Sequence, residues 1–186
     1  MNKFTIDQLR DLADRSLGIE TPVPSECKGV ETAYYGFLYL LAQATEPSLI
    51  VELGTGREAR SAAHFAAGAP KARVIGIDFQ PPDFTPYPNI EWWAGDIRLM
   101  SQQVAEIGTL ADLIFLDSTH ESSHALVEFN LYWPLLRPGG ILLIDDLNLG
   151  DMRTFWQIVP EPKFEHVELH GNCGFGVAIK NGDLQL

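Results

Sequence analysis

Short apolar runs alternate with amphipathic segments along most of this chain, and the two patterns have different periods. Apolar runs of strand length occur at five places: Leu49–Leu53, Arg73–Ile77, Ile90–Trp93, Ala111–Leu116 and Ile141–Ile144. Segments of helical period lie between several of them: Glu58–Ala67, Ile97–Ile107 and Ser122–Leu136. Strands and helices that alternate in this way predict a parallel sheet with helices on both faces.

The two ends of the chain depart from this alternation. Before the first strand, the pattern predicts an amphipathic helix over Thr5–Leu17 and an aromatic-rich helix over Glu31–Ala44. After the last parallel strand, Phe164–Leu169 and Gly174–Ile179 are typical of strands, and the connection between them is too short for a parallel crossover. We therefore predict an α/β, doubly wound, Rossmann-like fold with a seven-stranded, mostly parallel sheet and a C-terminal antiparallel hairpin.

Length and charge limit the classes of protein and of partner. At 186 residues the chain has the size of one domain, and we treat residues 1–186 as such. Its formal net charge of −12, without a run of basic residues, argues against nucleic acid as a partner. The N-terminus lacks the apolar core of a signal peptide, and no segment approaches the length of a membrane span. Two cysteines are no disulfide framework, so we expect a cytoplasmic protein with reduced thiols.

A glycine turn follows the first predicted strand. The strand ends in Glu52-Leu53 and continues into Gly54-Thr55-Gly56, and the next strand ends in Asp78. Glycines allow a tight turn and a close approach of the backbone to a ligand. Together with the following helix, this arrangement predicts the half of a doubly wound fold that binds a nucleotide-type cofactor. Packing alone could also explain the turn.

From about residue 30 to 180, the chain resembles the class I S-adenosylmethionine-dependent methyltransferases. The resemblance is carried by Glu52-Leu53-Gly54-Thr55-Gly56, by Asp78 and by Gly95-Asp96-Ile97. It implies that Gly54, Thr55 and Gly56, with Glu52, contact the methionine part of the cofactor. Asp78 would accept the ribose hydroxyls, and Asp96 with the Ile97 backbone would meet the adenine edge.

Two of these contacts also have a physical basis in the residue types. A carboxylate such as that of Asp78 can accept hydrogen bonds from both hydroxyls of a diol. Phe79, next to it, could pack on the adenine face. The alternative for Asp78 is a carboxylate that only ends a strand, and Asp96 stands where a helix N-cap would.

A second set of acids follows two other strands. Asp117 ends one strand and Asp145-Asp146 ends another, and we expect the carboxyl ends of both strands to lie close together. Three converging carboxylates would repel one another unless a cation lay between them. Mg²⁺ or a similar divalent ion, which prefers oxygen ligands, is the natural candidate, although these acids could also be strand ends and caps.

The segment from Leu116 to Asp146 looks like the metal-dependent O-methyltransferases, in the branch of the macrolide-sugar and cephalosporin-hydroxylase-like enzymes. The resemblance implies that Asp117, Asp145 and Asp146 hold the metal, that Asp117 also lies at the cofactor, and that His120 is the general base. The predicted helices in residues 1–46 would cover the cofactor and acceptor site, on a Rossmann-like core of residues 47–186.

For several other residues, the sequence does not decide between a role in the site and packing in the core. The aromatic helix Tyr34–Leu41 and the segment Met152–Trp156 could line the acceptor pocket or pack in the core. Arg60 could compensate an acid or touch the cofactor carboxylate. We interpret His64, His166 and His170 as structural or surface residues, because the sequence gives them no chemical partners.

The sequence thus predicts an S-adenosylmethionine-dependent O-methyltransferase that acts on a hydroxyl of a small molecule, such as a sugar or natural product, with help from Mg²⁺. A metal-independent methyltransferase and a non-catalytic cofactor-binding module are the alternatives. A nicotinamide oxidoreductase is disfavoured, because no Tyr-x-x-x-Lys spacing occurs and the terminal hairpin fits a methyltransferase better. We expect no membrane partner, and a homo-oligomer is possible.

Overall fold

The computed structural model describes residues 4–28 and 33–181 and contains a seven-stranded sheet. Its strands are β1 (Leu49–Leu53), β2 (Arg73–Asp78), β3 (Ile90–Ala94), β4 (Ala111–Leu116), β5 (Leu136–Ile144), β6 (Lys163–Glu165) and β7 (Gly176–Ile179). The order across the sheet is β3-β2-β1-β4-β5-β7-β6. Strands β1 to β5 are parallel, and β7 runs antiparallel to both β5 and β6. The predicted fold class is confirmed.

Helices cover both faces of the sheet. They are α1 (Ile6–Ser16), α2 (Tyr34–Thr45), α3 (Arg60–Gly68), α4 (Ile97–Glu106), α5 (Ser122–Tyr132), α6 (Met152–Ile158) and α7 (Val167–His170). Consecutive side chains of a strand point to opposite faces, and β1 accordingly contributes Ile50 to one apolar cluster and Val51 to the other. Helices α1, α2 and α3 pack in the first cluster, and α4, α5 and α6 in the second. No helix in the described ranges is long and apolar enough to cross a membrane.

The C-terminal connection differs from the prediction. The predicted strand Phe164–Leu169 is correct only to Glu165, and α7 occupies the rest. Phe164 and Leu169 both reach the same apolar cluster. Residues five apart in a strand point to opposite faces, so the chain must leave the extended conformation for both to be buried there. The strands therefore pair antiparallel as predicted, but a short helix and a 3₁₀ turn at Gly171–Cys173 join them.

Other boundaries shift for local reasons. Helix α5 ends at Tyr132 rather than Leu136, because Pro134 lacks the N–H that a continued helix needs. Strand β5 starts at Leu136 rather than Ile141. The segment Met152–Trp156, for which no helix was predicted, belongs to α6. Helix α2 begins at Tyr34, and the predicted start at Glu31 lies outside the described residues, as do the two ends of the predicted domain.

The strand register places four carboxyl ends side by side. Leu53 of β1 pairs with Ile77 of β2 and with Leu116 of β4, which in turn pairs with Ile144 of β5. The chain reverses its direction of winding between β1 and β4, and doubly wound sheets bind their ligands at such a switch point. Every predicted site residue except Asp96 and Ile97, which follow β3, comes from the ends of these four strands or the loops after them.

Candidate active site

The glycine turn after β1 packs closely against the end of a neighbouring strand. Gly54 has φ +88°, and a Cβ there would lie 2.2 Å from the backbone oxygen of Asp117. Its N–H donates to the Ile77 carbonyl at 2.9 Å. Gly54 therefore allows β1 to pass close to the end of β4. Gly56, at φ +58°, is exposed, and a Cβ there would make only an ordinary contact with Glu58 Oε2 at 3.6 Å, so this part of the turn is accessible.

Asp78 holds this turn in place. Its Oδ2 accepts hydrogen bonds from the backbone N–H groups of Thr55 (3.0 Å) and Gly56 (3.2 Å), and its Oδ1 accepts one from the N–H of Gln80 at 2.8 Å. A carboxylate has about four lone-pair sites, so one, on Oδ1, remains free to accept from a ribose hydroxyl. Its predicted contact with a ribose stays a prediction.

A cavity of about 210 Å³ opens over the turn. Its walls are formed by residues of β1, α2, α3 and the end of β4: Tyr35, Gly54, Thr55, Gly56, Glu58, Arg60, Ser61 and Asp117. Arg60 carries a buried Nε with no hydrogen-bond partner among the described residues. An unpaired guanidinium N–H on a cavity wall is suited to an anionic group of a ligand.

Glu52 lies beneath this cavity rather than on its wall. Its side chain is fully buried, Oε1 accepts a hydrogen bond from the Ser61 hydroxyl, and Oε2 has no partner among the described residues. Burial raises the pKa of Glu52 to about 8, the charge of Asp78 adds to the rise, and the Ser61 hydrogen bond opposes it. Glu52 is therefore neutral near pH 7, and its predicted contact with a cofactor stays untested.

The predicted adenine edge lies beside β2 and β3. Asp96 caps α4 by accepting from the N–H of Arg98, and its carboxylate also accepts two hydrogen bonds from the Arg98 guanidinium. This pairing lowers the pKa of Asp96 to about 2. Ile97 is buried, and its carbonyl accepts a hydrogen bond from Tyr132. The ring of Phe79 is 66% exposed and free to cover a flat ligand.

The structure brings together three of the four residues predicted for the metal and the base. Asp117, His120 and Asp146 each offer a ligand atom, and these atoms all lie within 4.8 Å of one another. His120 Nε2 is 2.6 Å from Asp146 Oδ2, an ion-pair distance without the alignment of a hydrogen bond. Asp146 has φ +55°, a strained conformation for a residue with a Cβ, and such strain is typical of functional sites.

Asp145 faces a different partner. Its Oδ1 accepts a hydrogen bond from the N–H of Asp146 at 2.9 Å and lies 2.6 Å from Nδ1 of His170. Asp145 belongs to neither of the potential metal-binding groups formed by the described residues. The interpretation of His170 as a residue without chemical partners was therefore wrong. Nothing local in the sequence signals this pair, since α7 carries His170 to Asp145 from 25 positions away.

The carboxylates of this region affect one another strongly. Burial raises the pKa of Asp117 well above its usual range, and the charges of Asp145, Glu52 and Asp146 raise it further. The pKa of Asp146 is raised by burial and by Asp145, while His120 and His170 lower it. The expected repulsion is therefore present, and bound protons or a cation would relieve it.

Two loops are fixed to each other beside this group. Asp151, after β5, accepts hydrogen bonds from the backbone N–H and the hydroxyl of Ser122, both at 2.6 Å. Gly150 has φ +52°, and a Cβ there would lie 2.0 Å from the carbonyl oxygen of His120. Because the loops after β4 and β5 pack this closely, His120 and Asp146 are held at a defined separation.

The two segments considered for the acceptor pocket lie in different surroundings. Tyr35 of α2 lines the cavity over the turn and a larger one of about 560 Å³ on its other side. By contrast, Met152, Phe155 and Trp156 of α6 are buried in the apolar cluster that contains Phe129. They belong to the core because α6 packs on α5, so the pocket role considered for them is wrong.

The fold and the order of these residues along it are those of a class I methyltransferase. Residues 51–147, just over half of the chain, match the model of a family described as a methyltransferase domain, and the chain belongs to that family. The expected class, an S-adenosylmethionine-dependent methyltransferase, is thereby confirmed. No curated protein sequence is similar enough to this chain to count as a match.

Solved structures share the fold at low sequence identity. An O-methyltransferase from Bacillus cereus in complex with SAH is 20% identical, with a TM-score of 0.64 over 95% of this chain and 90% of that one. TomG from Streptomyces achromogenes, an O-methyltransferase in complex with SAM, is 18% identical, with a TM-score of 0.67 over 98% and 93%. MycE of the mycinamycin pathway, in complex with Mg, SAH and mycinamycin VI, is 16% identical, with a TM-score of 0.61 over 94% and 53%.

Proposed function

We propose that this protein transfers a methyl group from S-adenosylmethionine to a hydroxyl oxygen of a small molecule and that a divalent cation such as Mg²⁺ assists. The observation that carries the proposal is the group of Asp117, His120 and Asp146, which combines a base with oxygen ligands. Asp117 also lines the cavity over the glycine turn, so the two parts of the site meet at this residue. The O-methyltransferases among the structural neighbours support the reaction type.

The cofactor would be held by the chain as follows. The cavity over Gly54–Gly56 would take its methionine part, and the unpaired Nε of Arg60 on the cavity wall would meet the carboxylate. Asp78 and Asp96 are the proposed contacts for the ribose and the adenine, with Phe79 over the ring. The unpaired, buried donor of Arg60 is the observation that the bound group fits, because such donors are costly to leave unpaired.

The metal would be held by Asp117 and Asp146. Asp146 faces His120 through Oδ2 and shares a group of ligand atoms with Asp117, and carboxylate oxygens are the ligands that Mg²⁺ prefers. Asp145 remains a proposed third ligand, for which its carboxylate would have to turn away from His170. MycE, among the structural neighbours, was solved with Mg.

When bound, the cofactor supplies an electrophilic methyl group, and the cation makes an acceptor hydroxyl more acidic. The side chain of His120 is 41% exposed, so an acceptor can reach it from solvent. His120 would take the hydroxyl proton as general base. Once protonated, the imidazole forms an ion pair with Asp146 at 2.6 Å, so this carboxylate stabilises the product of proton transfer. The fixed loops after β4 and β5 keep these two groups aligned.

A metal-independent reaction is the second candidate, and one observation favours it. Asp145 is engaged with His170, which leaves two carboxylates rather than three for a cation. His120 with Asp146 would then act as a base without metal help.

Methylation assays on a panel of sugars, phenols and polyketides test the proposal. We expect His120→Gln to lower kcat by about 100-fold or more without changing cofactor affinity, and EDTA to abolish turnover until Mg²⁺ is restored. His166→Gln is the matched control, because His166 pairs only with the exposed Asp14 among the described residues.

The same assays distinguish the alternative functions. Turnover that survives EDTA but not His120→Gln would establish the metal-independent reaction. Full activity in His120→Gln would refute the assigned base. Cofactor binding without turnover on any acceptor would indicate a non-catalytic module.

The remaining features of the proposal follow from the sequence. We propose one domain, in which the N-terminal helices within residues 1–46 cover the site. We also propose a cytoplasmic protein that can form a homo-oligomer, with neither nucleic acid nor membrane as a partner. The net charge of −12 supports the exclusion of nucleic acid.

A further inference from the structure

Asp146 also takes part in a second group of potential metal ligands, whose other two members have no part in the reaction proposed above. While its Oδ2 faces His120, its Oδ1 lies 3.4 Å from Nδ1 of His170. Asp146, His170 and Cys173 each offer one ligand atom, and all three atoms lie within 4.8 Å of one another. Because the buried Oδ1 has no hydrogen-bond partner among the described residues, it is available to a ligand.

The segment that carries Cys173 is fixed against the residues just after Asp146. The N–H of Asn148 donates to the Cys173 carbonyl at 2.7 Å, and its side-chain amide donates to the Asn172 carbonyl at 2.8 Å. The N–H of Leu147 donates to the Gly174 carbonyl at 3.2 Å. These three hydrogen bonds join the loop after β5 to the 3₁₀ turn after α7. The three ligand residues are thus assembled by the fold, without a large rearrangement.

The imidazole is oriented by another side chain. His170 Nδ1 lies 2.6 Å from Asp145 Oδ1, and the ring packs edge-on against Tyr34 at 4.9 Å between centroids. A carboxylate that holds one ring nitrogen orients a histidine for metal binding through the other, so a metal bound at Nε2 would keep the Asp145 contact. This contact also gives a partner to Asp145, which belongs to neither group of ligand atoms among the described residues.

The two groups differ in their donor atoms, and the difference selects different metals. Asp117, His120 and Asp146 offer oxygen, nitrogen and oxygen, whereas Asp146, His170 and Cys173 offer oxygen, nitrogen and sulfur. Thiolate and imidazole prefer borderline cations such as Zn²⁺ and Co²⁺, and Mg²⁺ binds thiolates poorly. We propose that Asp146, His170 and Cys173 form a site for Zn²⁺ or a similar transition-metal ion. Three protein ligands leave a fourth, tetrahedral position to water.

This inference goes beyond the proposed methyl transfer and does not rest on it. The full chain is tested without S-adenosylmethionine and without Mg²⁺, with Co²⁺ as a spectroscopic probe and Zn²⁺ as its competitor. We expect a thiolate-to-cobalt charge-transfer band in the wild type, which Zn²⁺ removes. Cys173→Ser should abolish the band, and Cys173→Ser and His170→Gln should each weaken Zn²⁺ binding by about 100-fold or more.

Two control variants and a fold check make the result decisive. Cys27→Ala and Asp117→Asn should keep both the band and the Zn²⁺ affinity, because Cys27 is buried elsewhere and Asp117 belongs only to the other group. Thermal melts without metal establish that each variant is folded. If His170→Gln does not fold, Cys173→Ser, which replaces only the sulfur atom, decides alone.

Two results would overturn the proposal. One is unchanged Zn²⁺ affinity in Cys173→Ser. The other is loss of Zn²⁺ binding in Asp117→Asn but not in Cys173→Ser, which would place the ion with His120. Neither result bears on methyl transfer, whose test uses His120→Gln and Mg²⁺.

Discussion

Glu52 carries a carboxyl group that the folded chain keeps protonated, and replacing it by glutamine tests this directly. The side chain is fully buried, one oxygen accepts from the Ser61 hydroxyl, and the other has no partner in the described part of the chain. Glutamine has the same shape, keeps an oxygen that can accept from Ser61, and cannot ionise. The variant therefore resembles the neutral form of Glu52 at every pH.

The magnitude follows from the pKa of Glu52, which is raised from 4.5 to about 8. Between these two values the folded chain holds a proton that the unfolded chain has released. The free energy of unfolding must then fall as pH rises, by about 1.4 kcal/mol for each pH unit. The stability contribution is complete below pH 4.5, decreases through neutral pH and levels off above pH 8. From about pH 5.5 to about pH 7.5, the ionisation of Glu52 lowers the free energy of unfolding of the wild type by about 2 to 3 kcal/mol.

Urea unfolding, followed by tryptophan fluorescence across this pH range, measures the effect. The advantage of Glu52→Gln over the wild type should grow by about 2 to 3 kcal/mol between about pH 5.5 and about pH 7.5. Glu106→Gln is the control: Glu106 is exposed, so the same loss of charge should leave a difference that does not depend on pH. A stability difference for Glu52→Gln that stays constant with pH would show that Glu52 is ionised in the folded chain and would refute the reasoning.

Three further substitutions test how the strand ends are held, each by urea unfolding. Gly54→Ala should lower the free energy of unfolding by about 3 kcal/mol or more, because its Cβ would lie 2.2 Å from the Asp117 carbonyl oxygen at a φ of +88°. A decrease below about 0.5 kcal/mol would contradict this close approach. Asp112→Ala should lower the free energy of unfolding by about 3 kcal/mol, because Asp112 accepts hydrogen bonds from the N–H groups of Ser48 and Leu49 and from Arg137 Nε at 2.6 Å. If the double variant Asp112→Ala/Arg137→Met recovers this stability, the loss comes from the unpaired guanidinium. Glu46→Gly should raise the free energy of unfolding by about 1 kcal/mol, because Glu46 ends α2 at φ +48° and places its charge at the negative end of the helix dipole. Glu46→Ala removes the charge but keeps the backbone strain, so it should stabilise the chain less.

The architecture could be predicted because it rests on local patterns that repeat. Alternate residues of β1 enter opposite apolar clusters, and alternating strands and helices of this length form a parallel sheet covered on both faces. The chain after Phe164 could not be predicted in this way. There the same apolar residues fit a strand or a short helix, and only the shared burial of Phe164 and Leu169 in one cluster decides between them. That burial is a property of the assembled core.

The metal-binding prediction failed to anticipate one geometric fact about adjacent residues. Asp145 and Asp146 are neighbours in sequence, and we treated them as a pair that faces one ion. Both residues lie beyond the end of β5, and Asp146 has φ +55°; its carboxylate joins the group of Asp117 and His120, whereas that of Asp145 does not. Asp145 is left facing α7, where His170 supplies its partner at 2.6 Å. Because the sequence cannot show which of two adjacent acids will meet a residue 25 positions away, it predicts the chemistry of this edge of the sheet but not how many ions bind there.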